Sequence, residues 1–165
     1  MKKLIAIDPG PVSSGVCLID AETYNPIKAI KIENVMVMEI LAPHIHGNTL
    51  VVIEMVAHYG TGMPAGKDVF ETCIWIGRFI EQFTQKYLVV ETLPRKSVKM
   101  NLCNSVRAKD SNIRQALVDR FAPGERNYGK GTKTQPGFFF GFSADAWQAY
   151  ALGVTYIDMK RSKAV

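Results

Sequence analysis

The chain has 165 residues, 47% hydrophobic and 21% charged, with a formal net charge of +5 and a pI near 9.1. This length suits one domain, residues 1–165, with a core large enough to need no staples, and the composition is that of an ordinary globular protein. Three cysteines, Cys17, Cys73 and Cys103, form no CxxC pair; they argue against a disulfide framework or a zinc cluster and fit a reducing compartment. The start MKKLIAID has only four apolar residues before an acid, and no later apolar run has spanning length. A cytoplasmic protein without membrane contact is therefore expected.

Residues 3–8 read as a strand that runs into Asp8. A Pro/Gly/Ser turn follows, and Gly15–Ile19 returns as the antiparallel neighbour. Pro26–Ile32 would complete a meander, and Val35–Leu41 fits a short helix stopped before Pro43. LVVIE, residues 50–54, is an apolar run rich in β-branched side chains, as a strand covered on both faces requires. It too ends in an acid, Glu54. The Gly-rich stretch YGTGMPAG leads into a helix whose Val69, Cys73, Ile76, Ile80 and Phe83 recur at spacings of three and four, with Phe70 and Ile74 widening the stripe. YLVVETL, residues 87–93, reads as a fifth strand. Asp110 fits the N-cap of a helix with Ile113, Ala116, Leu117 and Phe121 on one face, ending before Pro123. A long loop with five glycines, residues 124–141, precedes a last helix capped by Ser143. Three strands, then alternating helices and strands, then a closing helix describe an α/β fold: a five-stranded mixed sheet with helices on both faces.

Charge is unevenly spread. From Arg95 to Lys133 there are ten Lys or Arg against three acids, an excess larger than the net charge of the whole chain. Arg95, Lys96, Lys99, Arg107, Lys109, Lys130 and Lys133 are the candidate contacts to a polyanion, with nucleic acid favoured over a merely solvated basic face.

Asp8 and Glu54 both end apolar strands. Asp145 lies in the first turn of the last helix among Ala144, Ala146, Ala149 and Ala151, small residues that let a helix lie close to a sheet. Singly, Asp8 suits a turn and Asp145 a helix N-terminus. Glu54 has neither role. Three carboxylates converging at one sheet edge repel one another, and a divalent cation is the simplest way to keep them ionised.

The stretch IAIDPGPVSSGVCLID resembles the opening of the RuvC Holliday junction resolvases, members of the ribonuclease H-like superfamily. In order after it, VVIEMV is similar to the strand carrying the second acid, LPRKSVKMNL to a Val-Lys segment, and FSADAWQAYALG to the final Ala-Asp-Ala helix. Residues 54–80 and 136–155 look most like the phage and prophage members. The resemblance implies a ribonuclease H-like fold and a structure-specific endodeoxyribonuclease of DNA recombination and repair. Asp8, Glu54 and Asp145 would be Mg²⁺ ligands, with Mn²⁺ able to substitute and no nucleotide cofactor. Two metals about 4 Å apart would activate the water and stabilise the leaving 3′ oxygen. Lys99 would be the fourth catalytic group, beside the scissile phosphate. Branched DNA is the implied partner, and symmetric nicking of a four-way junction asks for a homodimer.

Two departures stand out. The family's fourth acid, three residues before the last one, is here Phe142, leaving Glu91 as a possible substitute; and a second family lysine falls at Asp110, beside Lys109. Phe138–Phe140 suit either the core or stacking on unpaired bases. Three other readings compete: a looser nuclease for flaps and forks, a non-catalytic DNA-binding relative, and an actin-like ATPase or sugar kinase. The three acids disfavour the second. The absence of a second phosphate-binding glycine loop disfavours the third.

Overall fold

A computed structural model describes residues 2–57 and 65–163. The opening meander consists of β1 (Lys3–Asp8), β2 (Ser13–Asp20) and β3 (Pro26–Glu33). A 3₁₀ turn and the short helix α1 (Val37–Leu41) lead to β4 (Leu50–Met55). Next come α2 (Lys67–Thr84), β5 (Val89–Pro94), α3 (Arg95–Cys103), α4 (Asp110–Phe121) and α5 (Ala144–Ser162). The sheet order is β3-β2-β1-β4-β5. β2 runs antiparallel to β1 and β3, while β1, β4 and β5 are parallel. This is the five-stranded mixed sheet expected. Most of the Gly-rich stretch before α2 lies outside the described residues.

Alternation along the strands makes two cores, one on each face. Leu4, Ala6, Cys17, Ile19 and Val52 face α3, α4 and α5, whereas Ile5, Ile7, Val16, Leu18, Val51 and Ile53 face α1 and α2. Each fully buried aliphatic side chain contributes roughly 1.5–3 kcal/mol, so β1 and β4, buried on both faces, anchor the domain. α5 buries residues all round from Ala146 to Ile157, because it is sandwiched between the sheet and the layer of α3 and α4. A helix in that position carries no polar stripe. Among the described residues, no helix is long and apolar enough to cross a membrane.

The local detail adds to the sequence reading and in one place corrects it. Residues 95–103, which carry too few apolar positions to show a helical stripe, form α3 directly after β5, with only Val98 buried. Asp110 is not the cap of α4 but its first residue; Lys109 holds the capping position, and its backbone N–H donates to Asn112 Oδ1 at 2.8 Å. Ser143 stands at the N-cap of α5 without a side-chain capping bond. The loop 124–141 folds on itself through a 3₁₀ turn at Asn127–Gly129 and a bridge between Gly131 and Pro136.

The close approach of α5 to the sheet depends on Gly153. A Cβ there would collide with Ile19 Cδ1 and lie 3.1 Å from Ala6 Cβ. Gly153→Val is therefore expected to destabilise the protein by about 1–3 kcal/mol through overpacking, measured by denaturant unfolding. Stability equal to the wild type would show that the α5 interface is looser than described.

Candidate active site

β1 and β4 are in parallel register, with Ile7 opposite Ile53. Asp8 and Glu54 therefore stand side by side at neighbouring strand tips. Both continue the alternation of Ala6 and Val52, which places them on the face covered by α5. Asp145, the second residue of α5, reaches the same place. It can do so because residue 15, paired with Asp8 across the hairpin, is glycine. A Cβ there would collide with the Asp145 carbonyl oxygen and lie 2.7 Å from its carbonyl carbon. Gly15 also pairs with Lys31 on β3, and the Lys31 ammonium lies 2.7 Å from Asp145 Oδ2.

A fourth acid joins this group. Arg95, the first residue of α3, spans two carboxylates: its Nη1 is 3.2 Å from Glu54 Oε2 and its Nη2 2.6 Å from Asp110 Oδ1. Arg95 and Glu54 are mostly buried, while Asp110 is 68% exposed, so water screens the Asp110 pair more than the Glu54 pair.

Crowding shows in the ionisation of Asp8. Burial, then the Glu54 carboxylate, with smaller pushes from Asp145 and Asp110, drives its carboxyl up to about 7 against the pull of Arg95. Glu54 is raised as well, because burial outweighs Arg95. Lys99 on α3 is near enough to favour the Glu54 carboxylate.

The loop that follows Asp8 is pinned from below by Asn34, which is buried. The Asn34 Nδ2 donates to the Gly10 carbonyl at 2.9 Å, its Oδ1 accepts from Ser14 Oγ at 2.6 Å, and its N–H donates to the Val12 carbonyl. No sequence signal marks Asn34 or Lys31. Their roles appear only once β2 and β3 are paired.

Asp8, Gly10, Gly15, Lys31 and Asp145 line a cleft of about 310 Å³. Arg95, Lys96, Lys99 and Val106 line another of about 490 Å³. Asp110 and Asp145 share a third with Arg114 and Gln148, so Asp145 lines two clefts. Arg107 and Lys109 are exposed on the connection between α3 and α4. Lys130 and Lys133, in the loop 124–141, line none of these clefts.

Phe142 and Glu91 lie elsewhere. Phe142 is buried against Phe139, Trp147 and Tyr150, so its side chain serves the core and does not point at the acids. Glu91 faces α5 further along, where its carboxylate accepts from Tyr156 Oη at 2.8 Å and pairs with Lys160 at 2.6 Å. Tyr156 is eleven helical steps beyond Asp145, roughly 16 Å at 1.5 Å per residue. Phe139 is fully buried and Phe138 stacks on Phe121, leaving Phe140 as the exposed ring of the three.

Among the described residues, no three Asp, Glu, His or Cys side chains stand close enough to hold a metal ion as placed. The donor set still suits a hard divalent cation. It is all carboxylate, and its most buried member is pushed toward neutrality by burial and by the others. Two positive side chains, Arg95 and Lys31, are paired with the carboxylates of Glu54, Asp110 and Asp145.

No protein-family model matches the chain, and no curated protein matches it. Solved structures do. Thermus thermophilus RuvC superposes with a TM-score of 0.69 at 14% identity, covering 98% of this chain and 96% of that one. T. thermophilus RuvC in complex with Holliday junction substrate superposes at 0.68 and 12% identity, with the same coverage. The fold is thus the RuvC-like, ribonuclease H-like α/β fold.

Asp8 makes stability depend on pH. Unfolded, it ionises near pH 4 like any aspartate, whereas the folded protein keeps the proton to about pH 7. Between those values the folded state holds more protons, so stability falls as pH rises through the window. In metal-free buffer, Asp8→Asn should be more stable than the wild type at pH 8, with the advantage vanishing toward pH 4. Denaturant titrations at both values check this, and an advantage independent of pH would contradict the burial of Asp8.

Proposed function

We propose that this protein is a RuvC-type, divalent-metal-dependent endonuclease that cleaves four-way DNA junctions as a homodimer in DNA recombination and repair. The observation that carries the reading is the meeting of Asp8, Glu54 and Asp145 on one face of a RuvC-like sheet, beside a basic cleft. The solved RuvC that holds a Holliday junction supports four-way DNA as the substrate. The wording of residues 54–80 and 136–155 supports a phage or prophage member.

Asp8, Glu54 and Asp145 would hold Mg²⁺ or Mn²⁺ through carboxylate oxygens, with Asp8 in the middle. When bound, such ions supply a nucleophilic water at neutral pH and charge stabilisation for the leaving 3′ oxygen. The chain itself orients the substrate. Lys99 and Lys96, lining the cleft next to Glu54, grip phosphates on either side of the scissile bond, and Arg107 and Lys109 extend that track. Lys130 and Lys133 would serve DNA arms farther out. The dimer reading is supported by α2, whose outer face exposes Phe70 and Ile74, neighbours four residues apart, by 62% and 61%.

Asp8→Asn, Glu54→Gln and Asp145→Asn should each lower junction cleavage by at least a hundredfold, measured with a labelled junction in Mg²⁺, while binding stays intact or tightens. Wild-type cleavage by any one of them would remove that residue from the site. Junction affinity should also fall by orders of magnitude between about 50 and 200 mM salt, and Lys96→Glu should weaken binding to every DNA and flatten that slope. Salt-insensitive binding would contradict the phosphate track.

A further inference from the structure

Three carboxylates around the strand tips are already paired with cations of the chain itself. Glu54 and Asp110 share the Arg95 guanidinium, and Asp145 holds the Lys31 ammonium. Asp8, the deepest acid, takes part in none of the ion pairs found among the described residues. Each of the two cations also lines a cleft that leads outward, Arg95 with Lys96 and Lys99, Lys31 with Asp8 and Gly10.

We propose that Arg95 and Lys31 are positioning residues that act as resident counter-ions, holding the carboxylates until DNA phosphates draw the two side chains away and leave room for divalent cations. The inference rests on the metal-dependent nuclease reading above. Its physical basis is competition for one set of oxygens. A unit positive charge within 4 Å of a ligand carboxylate opposes a second cation there, and the opposition is strong where water is partly excluded. Glu54 and Arg95 have side chains only 16% and 19% exposed, so their pairing is little screened.

Phosphate is a suitable destination for both side chains. A guanidinium binds a phosphate in the same two-pronged way that it binds carboxylates, and a lysine does so as a point charge. Lys31, 55% exposed on its strand, has a flexible stem to swing with. Arg95 sits at the start of α3, where the neighbouring Lys96 and Lys99 already mark the path of a polyanion. The exchange re-pairs both side chains with phosphate and transfers the carboxylates from side-chain cations to metal. Metal and DNA would consequently bind with positive coupling, each raising the affinity for the other by the same factor.

The test is Mn²⁺ binding by the full chain, followed by electron paramagnetic resonance with and without a synthetic four-way junction. Arg95→Met and Lys31→Met should each bind Mn²⁺ at least fivefold more tightly than the wild type when DNA is absent. A junction should tighten Mn²⁺ binding at least fivefold in the wild type and less than twofold in either variant. Unchanged or weaker Mn²⁺ binding by either variant, with the wild-type circular dichroism spectrum retained, would overturn the proposal and make the pairs simple supports. Should Arg95→Met fail to fold, Arg95→Gln removes the charge, keeps a hydrogen-bond donor for Glu54, and is read in the same way. Asp8→Asn separates the two ideas. If it binds Mn²⁺ as the wild type does, the metal-site reading itself fails; if it loses Mn²⁺ while the Arg95 and Lys31 variants gain nothing, only the counter-ion exchange is wrong.

Discussion

The contact of the α5 N-terminus with Gly15 is the constraint on which the site depends. A side chain at residue 15 would collide with the backbone of Asp145 and push the start of α5, with that aspartate, away from the acids at the strand tips. Glycine at residue 15 and again at residue 153 removes the obstacle at both places where α5 meets the β1–β2 hairpin. The same missing side chain at residue 15 opens the gap across which Lys31 reaches Asp145. One backbone contact thus sets the position of Asp145 and the access of its counter-ion, beside the buried Asp8.

That burial has an electrostatic consequence. Desolvation and neighbouring acids both oppose the ionised form of Asp8, and Arg95 offsets them only in part. A cluster of this kind works against the stability of the domain, and such local conflicts concentrate at functional sites. The surrounding structure is correspondingly firm. β1 and β4 are buried on both faces, and Asn34 fixes the loop after Asp8 with three hydrogen bonds. Firm strands with ill-matched charges at their ends are what a site needs if an arriving cation is to do the neutralising.

Much of this was legible from the amino-acid order. The strands announce themselves by β-branched runs and turn residues, α2 by its spacing, and Asp8 and Glu54 by ending core strands without a local role. The convergence of Asp145 is hinted at by the small residues around it, Ala146, Ala149 and Ala151, which are buried. Other features resist such reading. α3 has a single buried residue and no stripe to detect. Asp110 carries the pattern of a capping residue, and only the tertiary placement of Arg95 turns it toward Glu54. Phe142 stands three residues before Asp145, but it lies ahead of the helix start, where helical spacing no longer fixes direction, and the aromatic cluster of Phe139, Trp147 and Tyr150 draws it inward. Long-range ion pairs have no signature in local sequence, which is why Lys31 and the Arg95 bridge emerge only from the folded chain.

The most direct test of the central claim is a comparison of substrates with purified protein. A labelled four-way junction, a flap and a linear duplex of the same sequence are incubated with and without Mg²⁺, and the products are resolved by strand. The account predicts paired, symmetric nicks in the junction that require Mg²⁺, with slower cutting of the flap and none of the duplex. Cleavage that persists in a chelator, or that is as fast on linear duplex as on the junction, would contradict it.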